Sequence, residues 1–428
     1  MSRVVVIGAG IMGLAAAHEA LRLGHDVTVF EAAPQAGGMA AHMMVGDMST
    51  ERFYHFVCKT DFPTFDLLRD LGIIGKLRWV GTSMGYFTHG RLYRWGDPIA
   101  LLRFPHLSLI QKIRYGLLSY ISTRRNRWDA LEQQSARAWL TRWCGKSGYD
   151  QMWSKLFEQK FFEYTDHVSA AWMWTRIRRV GRSRRSLMQE ELGYIEGGSE
   201  TLVAAMMDAI THAGGTVHLG RPATRIDTHE GQVTAVTAGS ETVPADAVIC
   251  TVPTPLIPDL VPDLAEDAKD AYGKIVNIGA VCVVMALERS ITRHFWVNIN
   301  EADIEVPGVI EFSNLRPASS HIVYIPYYMP TNLPKWSWSD EAFIKDAFLV
   351  LKRINPSLQQ SDVQHAHVNR LRHAQPVCPP GFKATLPAIQ TAIGGLQIAD
   401  TCFYYPEDRG IAESIRIGQS MAQAIVAP

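Results

Sequence analysis

Three glycines and one acidic residue near the N-terminus have the types and spacing of a dinucleotide-binding site. Gly8, Gly10 and Gly13 follow the G-x-G-x-x-G pattern, and Glu31 comes 18 residues after the last of them. Such glycines permit a tight turn, the approach of a pyrophosphate to the backbone, and close packing of a helix on a strand. An acid at this distance can accept hydrogen bonds from ribose hydroxyls. The predicted chemistry is therefore the binding of a dinucleotide.

The flanking residues predict the elements that would position this motif. Val4–Ile7 is a short run of β-branched residues, typical of a buried parallel strand, and Asp26–Phe30 predicts a second strand. Between them, Ile11–Leu23 has a helical pattern that Gly24 closes. The helix N-terminus would direct free N–H groups and a positive dipole end at phosphates. A glycine-rich turn in an ordinary α/β domain is the alternative, but the strand, helix and acid together favour the binding site.

The composition places the chain among globular proteins and excludes some partners. Its 428 residues are 47% hydrophobic and 20% charged, which predicts a large core and two domains. Lys+Arg and Asp+Glu both total 42, so no net charge favours nucleic acid, and we expect none as a partner. The six cysteines form no CxxC pair, which indicates free buried thiols in a reducing compartment. We find no apolar run long enough to span a membrane.

A glycine pair follows Glu31 and indicates which dinucleotide is bound. Gly37-Gly38 precedes Met39, a few residues beyond the second strand. With the first motif, this arrangement resembles the flavoprotein superfamily of monoamine oxidase, protoporphyrinogen oxidase and phytoene desaturase. The resemblance implies that the cofactor is FAD and that Gly37 and Gly38 approach its pyrophosphate. A basic residue usually follows the glycines in that family, and here Met39 stands in its place.

The C-terminal stretch carries the same resemblance. A predicted strand ends in Asp400, and a predicted helix starts near Gly410. The resemblance places Asp400 at the ribityl–pyrophosphate end of FAD, and the backbone N–H groups of Gly410 and Ile411 at the N1/C2=O edge of the flavin. There the positive end of the helix dipole would stabilise charge on the reduced ring. In the middle of the chain, the resemblance implies two further cofactor contacts, from Ala223 and Thr251.

Four residues are candidates for catalysis. In the family, the segment corresponding to residues 46–55 passes the isoalloxazine ring, which makes Arg52 and His55, with Glu51 beside them, candidates for flavin or substrate contacts. A surface turn before a helix cap is the equally weighted alternative. Tyr405 and Arg409 would stand at the rim of the reaction site. We expect FAD to bind without a covalent link, although Cys402 keeps covalent attachment open.

The substrate is less clearly indicated. True amine oxidases place a lysine in a long buried strand, whereas the corresponding stretch at 275–287 has none and Lys274 precedes it. Six arginines lie close together, and they indicate either a solvated basic face or a site for a phosphate or carboxylate of the substrate: Arg176, Arg178, Arg179, Arg182, Arg184 and Arg185. His365 and His367 would share a strand face, but without a carboxylate or cysteine partner we expect no metal site.

Residues 98–127 leave the question of membrane contact open. Ile110, Ile113, Leu117 and Ile121 recur at helical spacing, and arginines gather at the end of the segment. This pattern indicates either a helix packed on the substrate domain or an amphipathic element that dips into a membrane. We expect a cytoplasmic protein, with peripheral contact at the inner face of the membrane as the alternative. The oligomeric state is not indicated.

These observations predict an α/β protein of two discontinuous domains. Residues 1–75, 194–262 and 384–428 would form a Rossmann-type FAD-binding domain (glutathione reductase-like, amine oxidase branch), and 76–193 with 263–383 a mixed α+β substrate domain. The resemblance implies an FAD-dependent oxidoreductase, and we favour the oxidation or desaturation of a bulky, largely apolar small molecule. The alternatives are a flavin-dependent isomerase of nucleotide sugars like UDP-galactopyranose mutase, an amine oxidase, and a non-catalytic flavin-binding protein.

Overall fold

The computed structural model describes residues 1–425 of the chain. In chain order, the strands are β1 Arg3–Ile7, β2 Asp26–Phe30, β3 His42–Val45, β4 Met48–Glu51, β5 Leu77–Thr82, β6 Met84–Thr88, β7 Arg91–Trp95, β8 Arg184–Ser186, β9 Gln189–Ile195, β10 Thr216–His218, β11 Ala223–His229, β12 Gln232–Ala238, β13 Glu241–Pro244, β14 Ala247–Cys250, β15 Asn277–Leu287, β16 Trp296–Ile299, β17 Gly308–Glu311, β18 His321–Met329, β19 Val363–Pro376 and β20 Leu396–Ile398.

The helices fall mostly between the strands, and 3-10 turns with one π-helical turn connect several of them. In chain order, they are α1 Ile11–Arg22, α2 Phe62–Asp70, α3 Pro98–Arg103, α4 Leu109–Arg124, α5 Asp129–Glu132, α6 Ala136–Cys144, α7 Lys146–Tyr149, α8 Lys155–Phe161, α9 Ala170–Arg182, α10 Ser199–His212, α11 Ile257–Leu260, α12 Glu266–Gly273, α13 Asp340–Ile354, α14 Phe382–Thr385 and α15 Ile411–Gln423.

The unit β1–α1–β2 confirms the elements predicted around the glycine motif. The strands β1 and β2 pair in parallel, and α1 crosses between them after a turn in which Gly8 has φ +102°. Only glycine adopts such a φ without strain. The inward face of α1 is buried over its first ten residues, because alanines and leucine there pack on the sheet.

A five-stranded parallel sheet, in the order β10-β2-β1-β14-β20, is built from strands far apart in the chain. Helices α1, α10 and α15 contribute to the apolar core on one face. The antiparallel meander β11-β12-β13 contributes to the core that contains the other face. Helix α15 approaches α1 so closely that a Cβ at Gly418 would lie 2.2 Å from the carbonyl oxygen of Met12. This arrangement confirms the predicted α/β class.

A second, seven-stranded sheet is mixed, in the order β19-β15-β18-β17-β16-β6-β7. Only β16 and β6 pair in parallel, and the other neighbours are antiparallel. Strand β15, next to the edge strand β19, is buried from its second residue to its last, as predicted for a long buried strand. Helix α13 packs on this sheet, and helices α6, α8 and α9 form an aromatic-rich cluster that also includes Ala280 and Tyr328 of the sheet.

Two local predictions differ from the structure. A serine at the start of the helical pattern after Gly197-Gly198 predicts that Ser199 caps α10. Gly198 is the N-cap instead, because the Ser199 hydroxyl donates to the carbonyl oxygen of Ala40. The segment 98–127 is two helices rather than one, since Phe104-Pro105 interrupts the pattern where proline cannot continue a helix. The boundaries of the two domains stay a prediction, and residues 426–428 of the last segment lie outside the described part.

Helix α4 presents its apolar stripe to solvent. Ile110, Ile113 and Leu117 are 69%, 60% and 48% exposed, whereas the residues it buries are Leu118 and Ser122. The helix packs on α6 and α9 through another face, so these apolar side chains do not make the contact with the predicted substrate domain. Within residues 1–425, no helix combines the length and the apolar character needed to cross a bilayer.

Candidate active site

A cavity of about 710 Å³ lies between the parallel sheet and the seven-stranded sheet. We call its two halves the nucleotide end and the far end. Residues at the strand ends of the parallel sheet and its adjoining loops form the nucleotide end: Gly8, Gly10, Glu31, Gly37, Gly38 and Thr251. The far end is formed by side chains from the segment after β4, the helical region, the second sheet and the loop before α15: Tyr54, His55, Lys160, Arg176, Arg179, Tyr328 and Arg409.

The two glycine segments form one continuous backbone surface. The N–H of Gly37 donates to the carbonyl oxygen of Ala9 at 2.8 Å, and a Cβ on Gly38 would lie 3.2 Å from the Cα of Gly10. Any side chain at Gly38 would therefore press on the first loop. Since neither loop carries a side chain here, backbone groups are left free to meet a phosphate.

Two further contacts show why the first loop requires glycine. The hydroxyl of Thr251 donates to the carbonyl oxygen of Ile7 at 2.9 Å, and a Cβ on Gly8 would lie 2.5 Å from that hydroxyl oxygen. A Cβ on Gly13 would lie 1.8 Å from the carbonyl oxygen of Gly8. Gly13 itself does not line the cavity, and its place is the helix–strand contact that the spacing predicts.

The carboxylate of Glu31 joins the end of β2 to the first glycine loop. Its Oε2 accepts from the N–H of Ala9 at 2.7 Å, and its Oε1 accepts from the N–H of Ala33 at 2.8 Å. A carboxylate has about four acceptor positions, so two remain for hydroxyl donors. Because Glu31 also lines the cavity, it has the position expected of a ribose ligand.

Two helix N-termini reach the cavity without a capping side chain. Gly10 precedes α1 and Gly410 precedes α15, and neither has a side chain that accepts from the first turn. The uncapped N–H groups of each first turn are available to a ligand. Asp400 also lines the cavity, with its two oxygens accepting from the N–H groups of Thr254 and Cys402 at 2.8 and 2.9 Å. Acids, glycine loops and uncapped helices together fit a dinucleotide of the length of FAD.

The structure brings the residues predicted from sequence for cofactor binding to one cavity, with Gly13 as the exception. Those that line it are Gly8, Gly10, Glu31, Gly37, Gly38, Met39, Ala223, Thr251, Asp400, Gly410 and Ile411. Their individual contacts with FAD stay predictions.

Two of the predicted catalytic residues reach the far end. His55 lines the cavity, and its Nδ1 has no hydrogen-bond partner among the described residues. Burial, together with the nearby cations Arg409 and Arg179, lowers the pKa of His55 to about 4, so the imidazole is neutral at pH 7. Arg409 donates from Nη1 to the carbonyl oxygen of Ala374 at 2.7 Å, while its buried Nε has no partner within residues 1–425.

The other two predicted catalytic residues do not line the cavity. The Nε of Arg52 donates to Asn369 Oδ1 at 3.1 Å, and the hydroxyl of Tyr405 contacts Ser169 Oγ at 2.6 Å and the carboxylate of Glu132. These partners hold Tyr405 in the protein interior and keep the half-buried Arg52 away from the cavity wall. Cys402 is also buried, and it is absent from the cavity wall. All six thiols are free and buried, as predicted, while the reducing compartment stays a prediction.

Sequence reasoning missed Lys160, a buried cation at the far end. Lys160 is 3% exposed, and its Nζ lies 4.9 Å from the ring centre of Tyr328 and 5.0 Å from that of Trp172. Burial and the neighbouring Arg176 lower the pKa of Lys160 well below its usual value. Its segment, SKLFEQKFF, gives no sign of this role, because alternating polar and aromatic residues are common on ordinary helices.

The arginine cluster divides between the cavity and the protein framework. Arg176 and Arg179 line the cavity, and each pairs with a carboxylate, Arg176 with Asp408 and Arg179 with Asp61. The remaining arginines make other contacts, of which Arg178 lies 3.7 Å from Glu407 and Arg182 donates to the backbone at Thr123. Neither sequence interpretation holds for the whole cluster, since its members have different partners.

The second sheet supplies an aromatic and aliphatic wall to the far end. Its cavity-lining side chains are Ala280, Cys282, Trp296, Pro326, Tyr328 and Leu371, with His373 as the one imidazole among them. Strand β15 contributes two of these and contains no lysine. Within residues 1–425, no three His, Cys, Asp or Glu side chains lie close enough together to hold a metal ion.

Comparison with known proteins matches the chain to a family of flavoproteins. A sequence model described as flavin containing amine oxidoreductase matches residues 11–399. The "Putative flavin-containing monoamine oxidase AofH" of Mycobacterium tuberculosis is 27% identical over 274 residues, which cover 58% of this chain and 56% of that protein. The "Probable zeta-carotene desaturase" of Synechococcus elongatus is 24% identical over 279 residues, with the same coverage. The matches therefore span a little over half the length of these relatives.

Solved structures show the same fold over nearly the whole chain. A "Putative protoporphyrinogen oxidase" from Exiguobacterium superposes with a TM-score of 0.76 at 17% identity, covering 99% of this chain and 98% of that one. Reduced UDP-galactopyranose mutase superposes with a TM-score of 0.74 at 16% identity, covering 99% and 95%. At such identities the likeness concerns the fold.

Proposed function

This chain belongs to the flavin-containing amine oxidoreductase family, and we propose that it oxidises or desaturates a bulky, largely apolar small molecule. It is an FAD-dependent enzyme, and FAD supplies the acceptor for the hydride. The observation that carries the proposal is the wall of aromatic and aliphatic side chains that the second sheet presents to the far end. Such a wall binds apolar surface and excludes water from the reacting atoms.

Two residues of the far end are proposed to act on the substrate. His55 is neutral and has a free Nδ1, so it can accept a proton from a substrate group placed beside it. Arg409 is anchored to Ala374 through one nitrogen and keeps its buried Nε for a ligand. Ordinary amine oxidation is the less favoured activity, because β15 lacks the lysine that true amine oxidases place in such a strand.

Anaerobic mixing with candidate substrates tests the proposal. We expect purified protein to be yellow, to release FAD on denaturation, and to lose its flavin absorbance when an apolar substrate is added without any reductant. Trp296→Ala should raise KM for that substrate while FAD stays bound, since Trp296 lines the cavity. Phe62→Ala is the matched control, because Phe62 is 63% exposed and lies outside the cavity wall. Flavin that no substrate reduces would argue against oxidation.

A flavin-dependent isomerase of nucleotide sugars is the second candidate. It is favoured by the cations of the far end, which suit a diphosphate, and by the likeness in fold to UDP-galactopyranose mutase. The same anaerobic experiment separates the two functions. An isomerase would convert its substrate only after prior reduction of the flavin and would leave the flavin reduced, whereas an oxidase would reduce oxidised flavin with substrate alone.

We also propose that helices α3 and α4 bind an anionic membrane surface, which would place a cytoplasmic protein peripherally at the inner face. Large apolar side chains are exposed along both helices, namely Ile99, Leu102, Leu109, Ile110, Ile113, Leu117 and Tyr120. Residues 98–128 contain six lysines and arginines and no Asp or Glu. An apolar stripe between cations is the pattern of an interfacial helix that lies on anionic lipid.

Sedimentation with vesicles tests this membrane surface. Protein should sediment with phosphatidylglycerol vesicles and much less with phosphatidylcholine vesicles, and Ile110→Glu with Ile113→Glu should abolish the effect. The control is Leu349→Glu, at a position 52% exposed on α13. Absence of vesicle binding would contradict membrane contact. A dimer in solution that the double variant dissociates would also contradict it and would identify the apolar stripe as a contact between two copies of the chain.

A further inference from the structure

The far end of the cavity contains more positive than negative charge. Four cations line it, Lys160, Arg176, Arg179 and Arg409, and two of these are paired. Arg176 contacts the carboxylate of Asp408, and Arg179 binds Asp61 through two nitrogens, at 2.8 and 3.2 Å. Lys160 and Arg409 remain, and among residues 1–425 neither forms a salt bridge with a carboxylate.

Lys160 is held at the cavity by the end of its helix. It lies on the last turn of α8, after a π-helical turn over Asp150–Ser154, and Phe162 follows with φ +51°. An aromatic residue rarely adopts this backbone conformation, so the surrounding structure must hold it. Within residues 1–425, Nζ makes no hydrogen bond, and its contacts are the faces of the Tyr328 and Trp172 rings.

Arg409 reaches the same place from the loop before α15. Its guanidinium carbon lies 5.9 Å from the ring centre of Tyr328, the ring that Lys160 also faces at 4.9 Å. Nη2 donates to the Tyr328 hydroxyl at 3.4 Å, a long hydrogen bond, and the buried Nε has no partner among the described residues. Lys160 and Arg409 thus both lie against the Tyr328 ring, and each has N–H donors without a hydrogen-bond partner among the described residues.

A positive charge is costly here, and burial accordingly lowers the pKa of Lys160 well below its usual value. Asp408 is the nearby negative charge that acts on Lys160 and Arg409. It is paired with Arg176, however, so one carboxylate faces three basic side chains. A bound anion would hold Lys160 in its charged form. The nearby cations hold the pKa of Asp408 below its usual range, although burial acts in the opposite direction. An anion bound between Lys160 and Arg409 would restore the balance and would use the free donors.

We propose that Lys160 and Arg409 form a subsite for an acidic group, a carboxylate or a phosphate, carried by the substrate. The subsite rests on the proposed function and adds to it, because the substrate would have an apolar body and an anionic end. A planar guanidinium and an ammonium group are both suited to oxyanions, and Arg409 would give directional hydrogen bonds. The phosphates of FAD do not fill this role if they bind at the glycine loops of the nucleotide end, as predicted.

Binding of unreactive ligands to the oxidised holoenzyme tests the subsite without turnover. Phenylacetate, phenyl phosphate and the neutral phenylacetamide are titrated while the visible spectrum of FAD is recorded. We expect at least one of the two anions to bind about 10-fold or more tightly than the amide, which is the range for a charged hydrogen bond. The tighter of the two anions identifies the acidic group.

Two variants connect this binding to the named residues. Lys160→Met and Arg409→Gln should each weaken anion binding about 10-fold or more and leave amide binding unchanged. Lys155→Met is the matched control, since Lys155 is on the same helix, pairs with Glu158 and lies outside the cavity wall. Asp408→Asn should tighten anion binding, because it removes the carboxylate that occupies Arg176.

The results distinguish failure of the subsite from failure of the proposed function. A yellow holoenzyme that binds phenylacetamide as tightly as both anions would overturn the subsite, as would a Lys160→Met protein that retains FAD and binds anions like the control. An enzyme that binds anions but whose flavin no apolar substrate reduces would support the subsite and contradict the proposed oxidation.

Discussion

The two ends of the cavity are built on different principles. The nucleotide end is backbone: glycine loops, uncapped helix N-termini, and the carboxylate of Glu31 bonded to the N–H groups of Ala9 and Ala33. The far end is side chains, and Lys160, Tyr328 and Arg409 come from three segments separated by more than 80 residues each. The backbone surface of the nucleotide end can be predicted from the spacing of glycines in the sequence. The side-chain cluster of the far end can be predicted only when the order of the strands and helices in space is known.

This difference teaches what each end can specify. The glycine loops are suited to the pyrophosphate, which dinucleotides share. They tolerate no side chain, since a Cβ on Gly13 would lie 1.8 Å from the carbonyl oxygen of Gly8. The far end can change its substrate by single substitutions, because no backbone turn depends on Lys160 or Arg409. Substitutions at the nucleotide end should therefore remove the cofactor, and those at the far end should change turnover while FAD stays bound.

The largest effect is expected at Gly13. Gly13→Val would place a Cβ 1.8 Å from the carbonyl oxygen of Gly8, so α1 must move off β1. We expect a loss of about 3 kcal/mol or more in the free energy of unfolding, at the upper range of overpacking, and a protein without FAD. Thermal unfolding and the flavin absorbance measure both. Gly75→Ala is the control, since a Cβ there meets no atom within 4 Å; equal behaviour of the two variants would contradict the packing role.

Glu31 should have the next largest effect. Glu31→Ala removes an acceptor for two backbone N–H groups and the predicted acceptor for ribose hydroxyls, each bond to a charged group contributing about 1.5–3 kcal/mol. FAD should dissociate at least 10-fold more readily, as measured by flavin retention on dialysis, and Glu31→Gln should lie between. Asp26→Asn, at the exposed start of the same strand, is the control. Retention equal to that of the control would remove Glu31 as the ribose ligand.

The same contrast explains what the sequence predicts and what it does not. The strand β2 begins and ends at the predicted residues, because its pattern depends on neighbours in the chain. Lys160 was missed, because its environment is made by Tyr328, 168 residues away, and by a π-helical turn that rotates the helix. The resemblance of the C-terminal stretch implies that Tyr405 stands at the rim of the reaction site, yet its hydroxyl contacts Ser169.

A smaller, pH-dependent effect is expected at the far end from His55. Its pKa of about 4 lies below the unfolded value of about 6.5, so the unfolded chain binds the proton more readily and stability rises with pH between these values. His55→Gln should flatten the rise in melting temperature from pH 4 to 6.5 and lower kcat about 10-fold or more, with FAD retained.

The control for His55 is His294, whose pKa burial also lowers to about 4 and which lies outside the cavity wall. His294→Gln should flatten the same stability profile and leave kcat unchanged. Identical kcat values for the two variants would show that His55 has only a structural role. Arg409 would then be the one residue of the far end still proposed to act on the substrate.

The smallest effect on turnover is expected at Tyr405. Tyr405→Phe removes the hydroxyl that contacts Ser169 and Glu132, and it leaves a buried carboxylate with one partner fewer. We expect a loss of about 1–3 kcal/mol in the free energy of unfolding, because a buried acceptor is left unpaired. The kcat should stay within about 2-fold of the parent, since Tyr405 does not line the cavity. A kcat that falls as far as is expected for His55→Gln, with stability unchanged, would show that Tyr405 acts at the reaction site. The far end would then include a side chain that does not line the cavity.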